Sequence, residues 1–218
     1  MPMSTQELRR RYKPIPLGTL TAEQYEDAVA ATLTSLPITP TLQAEWTIDV
    51  SNEYRALHTI TLEGGFRLDG VTEPIGEFIW YIFRPRTHRE IRESVFRNSC
   101  EYDAHAAEFA TALLDNSDVD PIGILTKGPI ALWRSMKLEL AYRGHGWGIA
   151  ASRAIAAHLR TLLGLHIVFL KPYPIDQPAA ARPDFTLARQ HLTAYYQRAL
   201  RLTPVLDTGY FYWDLDVD

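Results

Sequence analysis

The chain has 218 residues, 46% of them hydrophobic and 11% aromatic, which suits one large domain with a substantial core. A net charge of -4 gives no general attraction to nucleic acid, and the single cysteine, Cys100, excludes an internal disulfide and any multi-cysteine zinc site. No apolar run nears the roughly 20 residues of a membrane span, and Met1-Pro2-Met3-Ser4-Thr5 has no signal-peptide core, so a cytoplasmic setting with no membrane partner is expected.

Residues 1–19 read as a solvated arm that includes the basic run Arg9-Arg10-Arg11. Thr21 caps the first predicted helix, with Gln24 completing a capping box and Leu20 stapling onto Tyr25. Tyr25, Val29 and Leu33 recur at helical spacing until Pro37 and Pro40 stop the helix. Trp46, Ile48 and Val50 then alternate with Glu45, Thr47 and Asp49, the pattern of a half-exposed strand. Arg55 to Leu62 follows as a second strand, and Glu63-Gly64-Gly65 predicts a turn or bulge. A third strand, about Ile75 to Phe83, is apolar on both faces apart from Glu77, which places it centrally in a sheet.

Pro85 ends that strand, and a helical insertion is expected over about 86–128. Within it Tyr102, Ala106, Phe109 and Leu113 mark an amphipathic helix, and Asn116 to Pro121 a loop. Ile130 to Tyr142 returns to strand. Gly146 to Leu163 is helical, with Ile149, Ile155, Leu159 and Leu162 on one face and Gly164 as the stop. His166 to Leu170 is a short apolar run after a helix, the form of a buried parallel strand. Lys171-Pro172-Tyr173-Pro174 breaks it. Asp184 caps a last helix whose buried stripe is Ala188, Leu192, Tyr195 and Ala199, and Tyr210 to Leu215 closes the chain as a strand. The order describes a single α/β domain over residues 1–218.

The stretch from Met136 to Ile149 is the most informative. Gly144, Gly146 and Gly148 stand at alternate positions between a strand and a helix. Such a turn lets an anionic ligand approach the backbone, and the positive end of the helix attracts it. A nucleoside-triphosphate loop needs Gly-Lys-Ser/Thr, and a dinucleotide turn needs Gly-x-Gly-x-x-Gly with an acid after the next strand. Neither pattern is present, and Lys171 stands where that acid would be.

Arg143-Gly144-His145-Gly146-Trp147-Gly148 resembles the Arg/Gln-x-x-Gly-x-Gly/Ala signature of the GCN5-related N-acetyltransferase (GNAT) superfamily. Met136 to Gly144 is similar to the strand that leads into that signature, and Ala194-Tyr195-Tyr196-Gln197-Arg198-Ala199-Leu200 to the family's tyrosine helix. Leu140 replaces a common proline, and Leu200-Arg201 a Gly-Phe pair. The resemblance runs from about Ile130 to Leu215, is weaker over 20–84, and is absent as a motif over the insertion.

The resemblance implies a mixed, mostly antiparallel sheet with a splayed parallel strand pair and flanking helices. It implies acetyl-CoA as acyl donor and N-acetyl transfer by direct attack of an amine on the thioester. The pantetheine arm would pair with the backbone near Met136 and Leu138. The pyrophosphate would lie on N–H groups from Gly144 to Gly148, with Arg143 adding charge. His145 faces phosphate or solvent, and Trp147 packs on the domain. The N–H of Leu138 is the implied oxyanion donor, and Tyr196 the implied acid for the leaving thiolate, with Tyr195 as its alternate. Tyr195 is assigned to packing by its place on the stripe. Glu77, Glu139, Glu101 and His105 are open candidates for the base, as is a water chain. The histidine spacing gives no metal site, and Cys100 reads as buried.

The acceptor amine, on a small molecule or a protein, is expected on the side of the insertion, where Phe96, Glu101, Tyr102 and Asp103 suit a cation or simply pack. A homodimer is common in the superfamily. The alternative is a fold relative with altered chemistry, an acyl-CoA sensor or partner-binding module, prompted by the unidentified base and the altered Gly-Phe pair.

Overall fold

The computed structural model describes residues 35–39, 41–54, 57–85, 92–101, 103–117, 119–174 and 185–216. The predicted first helix, the basic arm, Tyr102 and Asp184 lie outside them. The strands are β1 (Ser35–Pro37), β2 (Leu42–Tyr54), β3 (Leu57–Leu68), β4 (Gly76–Pro85), β5 (Ile130–Leu138), β6 (Ile167–Leu170), β7 (Thr203–Pro204) and β8 (Phe211–Asp214). The helices are α1 (Glu93–Ser99), α2 (Ala104–Leu114), α3 (Pro121–Lys127), α4 (Trp147–Leu163) and α5 (Phe185–Leu200), with a 3-10 turn at Leu140–Tyr142.

The eight strands form one sheet in the order β1-β2-β3-β4-β5-β6-β8-β7. Every neighbouring pair is antiparallel except β5 and β6. That exception follows from α4: a strand, a helix and a second strand joined in sequence return parallel. The fold is therefore mixed α/β with a mostly antiparallel sheet and one parallel pair.

Alternation along the central strands makes two cores. Trp80 and Ile82 of β4 and Ala131 and Trp133 of β5 face one side, where Ile155 and Leu159 of α4 and Leu200 of α5 join them. Tyr81, Phe83, Ile130 and Leu132 face the other, against Phe96 of α1, Phe109 and Leu113 of α2 and Leu125 of α3. The 86–128 insertion thus builds the second core. Phe96 is buried there and is not at an open surface.

Several sequence expectations change. Gly64 and Gly65 make neither turn nor bulge; both sit inside β3, paired across β4 with Phe78 and Glu77. A Cβ on Gly64 would lie 2.1 Å from the Glu45 carbonyl and 2.9 Å from the Phe78 ring, so glycine is there for close backbone packing. The strand expected to reach Tyr142 ends at Leu138, where the Glu139 N–H bonds the Ile75 carbonyl at 2.9 Å and a tight turn follows. Asn116 to Pro121 loses its last residue to α3, which Pro121 opens under the Asp120 cap. On α5 it is Tyr196, with Ala199 and Leu200, that packs on the core, while Tyr195 is 40% exposed. The stripe runs from Ala188 and Leu192 to Tyr196, one residue past the expected tyrosine.

Candidate functional site

The parallel pair parts. Trp133 of β5 and Leu170 of β6 are the last residues in register. Pro172 follows two residues after Leu170 and has no N–H to continue a ladder. β5 nevertheless runs on to Leu138, paired on its other edge with β4. Between the two strands lies a cleft of about 870 Å³, lined in part by Leu192, Tyr195 and Tyr196 of α5.

A bulge shapes the floor of the cleft. Trp80 pairs with Trp133 and Ile79 with Ser135, which leaves Arg134 without a counterpart on β4. The extra residue restores Met136 and Leu138 to the face of Trp133, against the α4 core. The sequence carried this signal in Arg134-Ser135, two polar residues breaking an alternating pattern, and it was missed.

At the other end of β5 stands the glycine turn. Gly144 has φ of 84° and Gly146 of 75°, a region that side chains with a Cβ rarely adopt. Open space surrounds both, so positive φ, not crowding, requires glycine there. Gly148 lies in the first turn of α4, where a Cβ would be 3.7 Å from Met136 Sδ. Gly146 is the N-cap of α4, no side chain caps that end, and its first turn holds no acid. Its leading N–H groups therefore present partial positive charge to the cleft. Arg143 Nε donates to the Leu138 carbonyl at 2.7 Å, tying the turn back to the strand end. Trp147 is half-buried on the core, stacked with Tyr142 at 6.1 Å, and His145 is exposed beside it at 5.1 Å.

Charge concentrates here. The chain is acidic overall, yet among the described residues Arg134, Lys137, Arg143 and Lys171 line the cleft against the single acid Glu139.

No family model, no curated protein and no solved structure matches this chain. The geometry of the cleft carries the functional reading.

Tyr196 meets the edge of Trp133 at 5.3 Å, at the point where the strands part. Burial pushes its hydroxyl up to about 12, with neighbouring Tyr195 adding to the rise, so it is protonated at neutral pH. Leu138 is at the opposite end of the cleft, five residues past Trp133, or about 16 Å along the strand. Both Leu138 and Tyr196 line the cleft, Tyr196 at the level of Trp133. The backbone near Tyr196 is the bulged segment at Arg134 and Ser135.

Of the candidate bases, only Glu139 lines the cleft. Glu77 is exposed and sits across from Lys137 in the β4–β5 ladder. Glu101 and His105 are exposed at the start of α2. Cys100 is buried, and burial raises its thiol, which keeps it unreactive. Among the described residues no group of three or more His, Cys, Asp or Glu could hold a metal ion, and no helix is long and apolar enough to cross a membrane.

A polar cluster at the fork escaped the sequence reading. Asp103, the N-cap of α2, pairs with Arg134 at 3.4 Å and hydrogen-bonds Tyr81. Burial alone would raise its carboxyl. The N–H groups of Ala106 and His105, together with Arg134 and Tyr81, hold it below the usual range instead. Lys171, the residue after Leu170, pairs with Glu108 of the same helix and lies over the Tyr210 ring at 5.2 Å. These contacts join residues far apart in the chain, and no local pattern announces them.

Proposed function

We propose that the chain is a GNAT-like acyltransferase that takes acetyl-CoA in the cleft between β5 and β6 and transfers the acetyl group to an amine. One observation carries the reading: a parallel pair that parts after Trp133 and Leu170 into a cation-lined cleft, ending at a glycine turn on an uncapped helix. The turn and the start of α4 suit the pyrophosphate, because their N–H groups, with no acid in the first turn of the helix, favour an anion. The free edge of β5 from Arg134 to Leu138 suits the amide-bearing pantetheine arm.

When bound, the thioester supplies an activated carbonyl whose carbon takes the acceptor nitrogen while its bond to sulfur breaks. The backbone N–H groups at the Arg134 bulge are aimed by the irregular ladder and stabilise the oxygen charge that develops. They take the part first expected of Leu138. Tyr196 is the hydrogen-bond donor to the sulfur. Its pKa of about 12 lies above the roughly 8.5 of an ordinary thiol, so complete proton transfer would run uphill. The thiolate therefore receives its proton from the ammonium formed on the acceptor. Glu139 or a water chain is left as the route for any proton shed earlier.

The test is turnover. Thiol release from acetyl-CoA should appear with at least one member of a panel of small amines and lysine peptides. Binding of acetyl-CoA without release by any acceptor would favour the sensor or partner-binding reading, which the unidentified base and the Leu200-Arg201 pair motivate.

A further inference from the structure

The fork between β5 and β6 has two faces of opposite chemistry. On one, Trp133, Leu170 and Tyr196 are apolar or aromatic and belong to the α4 core. On the other, Arg134 and Lys171 are cations already held by Asp103 and Glu108 of α2. An apolar acyl chain is accommodated by the first face and repelled by the second, where it would desolvate ion pairs.

We propose that Trp133 sets the length of acyl chain the cleft accepts, closing the apolar face to chains longer than acetyl or propionyl. The inference rests on the acyl-CoA reading of the cleft. Trp133 is 5% exposed and Leu170 3%, so the side chains at the fork are already packed. Tyr196 meets Trp133 edge-on at 65° and leaves no passage between the two rings, whose centroids are 5.3 Å apart. The indole cannot retreat either. Trp80 stacks behind it at 5.7 Å and 13°, and Trp80 is itself fully buried. Close-packed interiors yield little to an added methylene. A longer chain must therefore displace the Trp133–Trp80 stack or turn onto the charged face.

The experiment measures dissociation constants for acetyl-, butyryl- and hexanoyl-CoA by calorimetry on the whole chain. The wild type is compared with Trp133→Leu and with the gentler Trp133→Phe, each checked for cooperative thermal unfolding. The wild type should bind hexanoyl-CoA at least about tenfold more weakly than acetyl-CoA, the scale of discrimination a filled apolar pocket achieves. Trp133→Leu should narrow that ratio to about threefold or less, or invert it, with Trp133→Phe between the two. If Trp133→Leu does not fold, Trp133→Phe alone decides. A wild type indifferent to chain length, or a folded variant with the wild-type ratio, overturns the inference while leaving the acyl-CoA reading intact. A wild type that binds none of the three esters overturns both.

Discussion

Asp103 uses its two carboxylate oxygens for different tasks: Oδ1 accepts the N–H groups of His105 and Ala106 at 2.8 and 3.1 Å, and Oδ2 takes Arg134 at 3.4 Å. The first pair of bonds starts α2, and the ion pair docks that start on the first residue of β5 beyond the parallel pair. Lys171, the residue that follows β6, is held by Glu108 further along the same helix. One helix therefore braces both arms of the fork. Asp103→Ala should cost about 2 kcal/mol in urea unfolding, combining a lost cap with a partly buried ion pair. Asp103→Asn keeps the cap and should cost about 1 kcal/mol or less.

Gly146→Ala isolates the backbone term. Nothing stands within 4 Å of the added methyl, so no clash arises, but φ of 75° is unfavourable for alanine. The penalty should be about 1–2 kcal/mol, seen as a lower urea midpoint at unchanged slope. Relief by rotation of the turn would move the leading N–H groups of α4, so anion affinity should fall as well.

Tyr196→Phe retains the ring against Trp133 and removes the hydroxyl. The turnover number should drop about 10- to 100-fold with KM within about twofold, the sign of a contact made in the transition state. Tyr195→Phe, on an exposed side chain, should leave both unchanged. In the proposed role the protonated phenol is the active form, and with a pKa of about 12 Tyr196 should impose no alkaline loss of rate below about pH 10.

His158 gives a stability prediction with a definite sign. Burial lowers its pKa to about 4 in the folded chain, against about 6.5 when unfolded. Between these values the unfolded chain binds more protons, so stability falls as pH drops from about 6.5 towards 4 and is fully present above 6.5. The span corresponds to about 3 kcal/mol. Replacing His158 with Gln should flatten the stability profile across that window, measured by denaturant midpoints at several pH values.

Phe109→Ala tests whether the insertion is part of the core. Phe109 is fully buried and contacts the rings of Phe83, Phe96, Phe169 and Tyr210. Its truncation should cost about 3–5 kcal/mol, far more than a peripheral appendage would.

Local chemistry made much of this legible in sequence. Gly146 and Gly164 bracket α4 because both adopt positive φ, and glycine marks such positions plainly. The apolar run His166 to Leu170 gave a buried parallel strand because a strand covered on both faces has no polar alternation. What failed was decided by partners distant in the chain. Tyr195 and Tyr196 fit a helical stripe almost equally well, and the choice between them was made by Trp133, 63 residues before Tyr196. Gly64-Gly65 looks like a turn until Glu45 and Phe78 pack against it from neighbouring strands. Asp103 stood in sequence only as an acid of the insertion, because its ion pair to Arg134 depended on a bulge and on the docking of a whole helix.

The central claim is that the cleft between β5 and β6 binds acetyl-CoA through the glycine turn at the start of α4. Calorimetric titration of acetyl-CoA into the wild type and into folded Gly146→Val tests it most directly. Saturable binding at one site per chain is expected, with a dissociation constant of about 100 μM or tighter, and at least about tenfold weaker binding by the variant. A folded wild type that gives no binding, or a Gly146→Val variant with undiminished affinity, would contradict it.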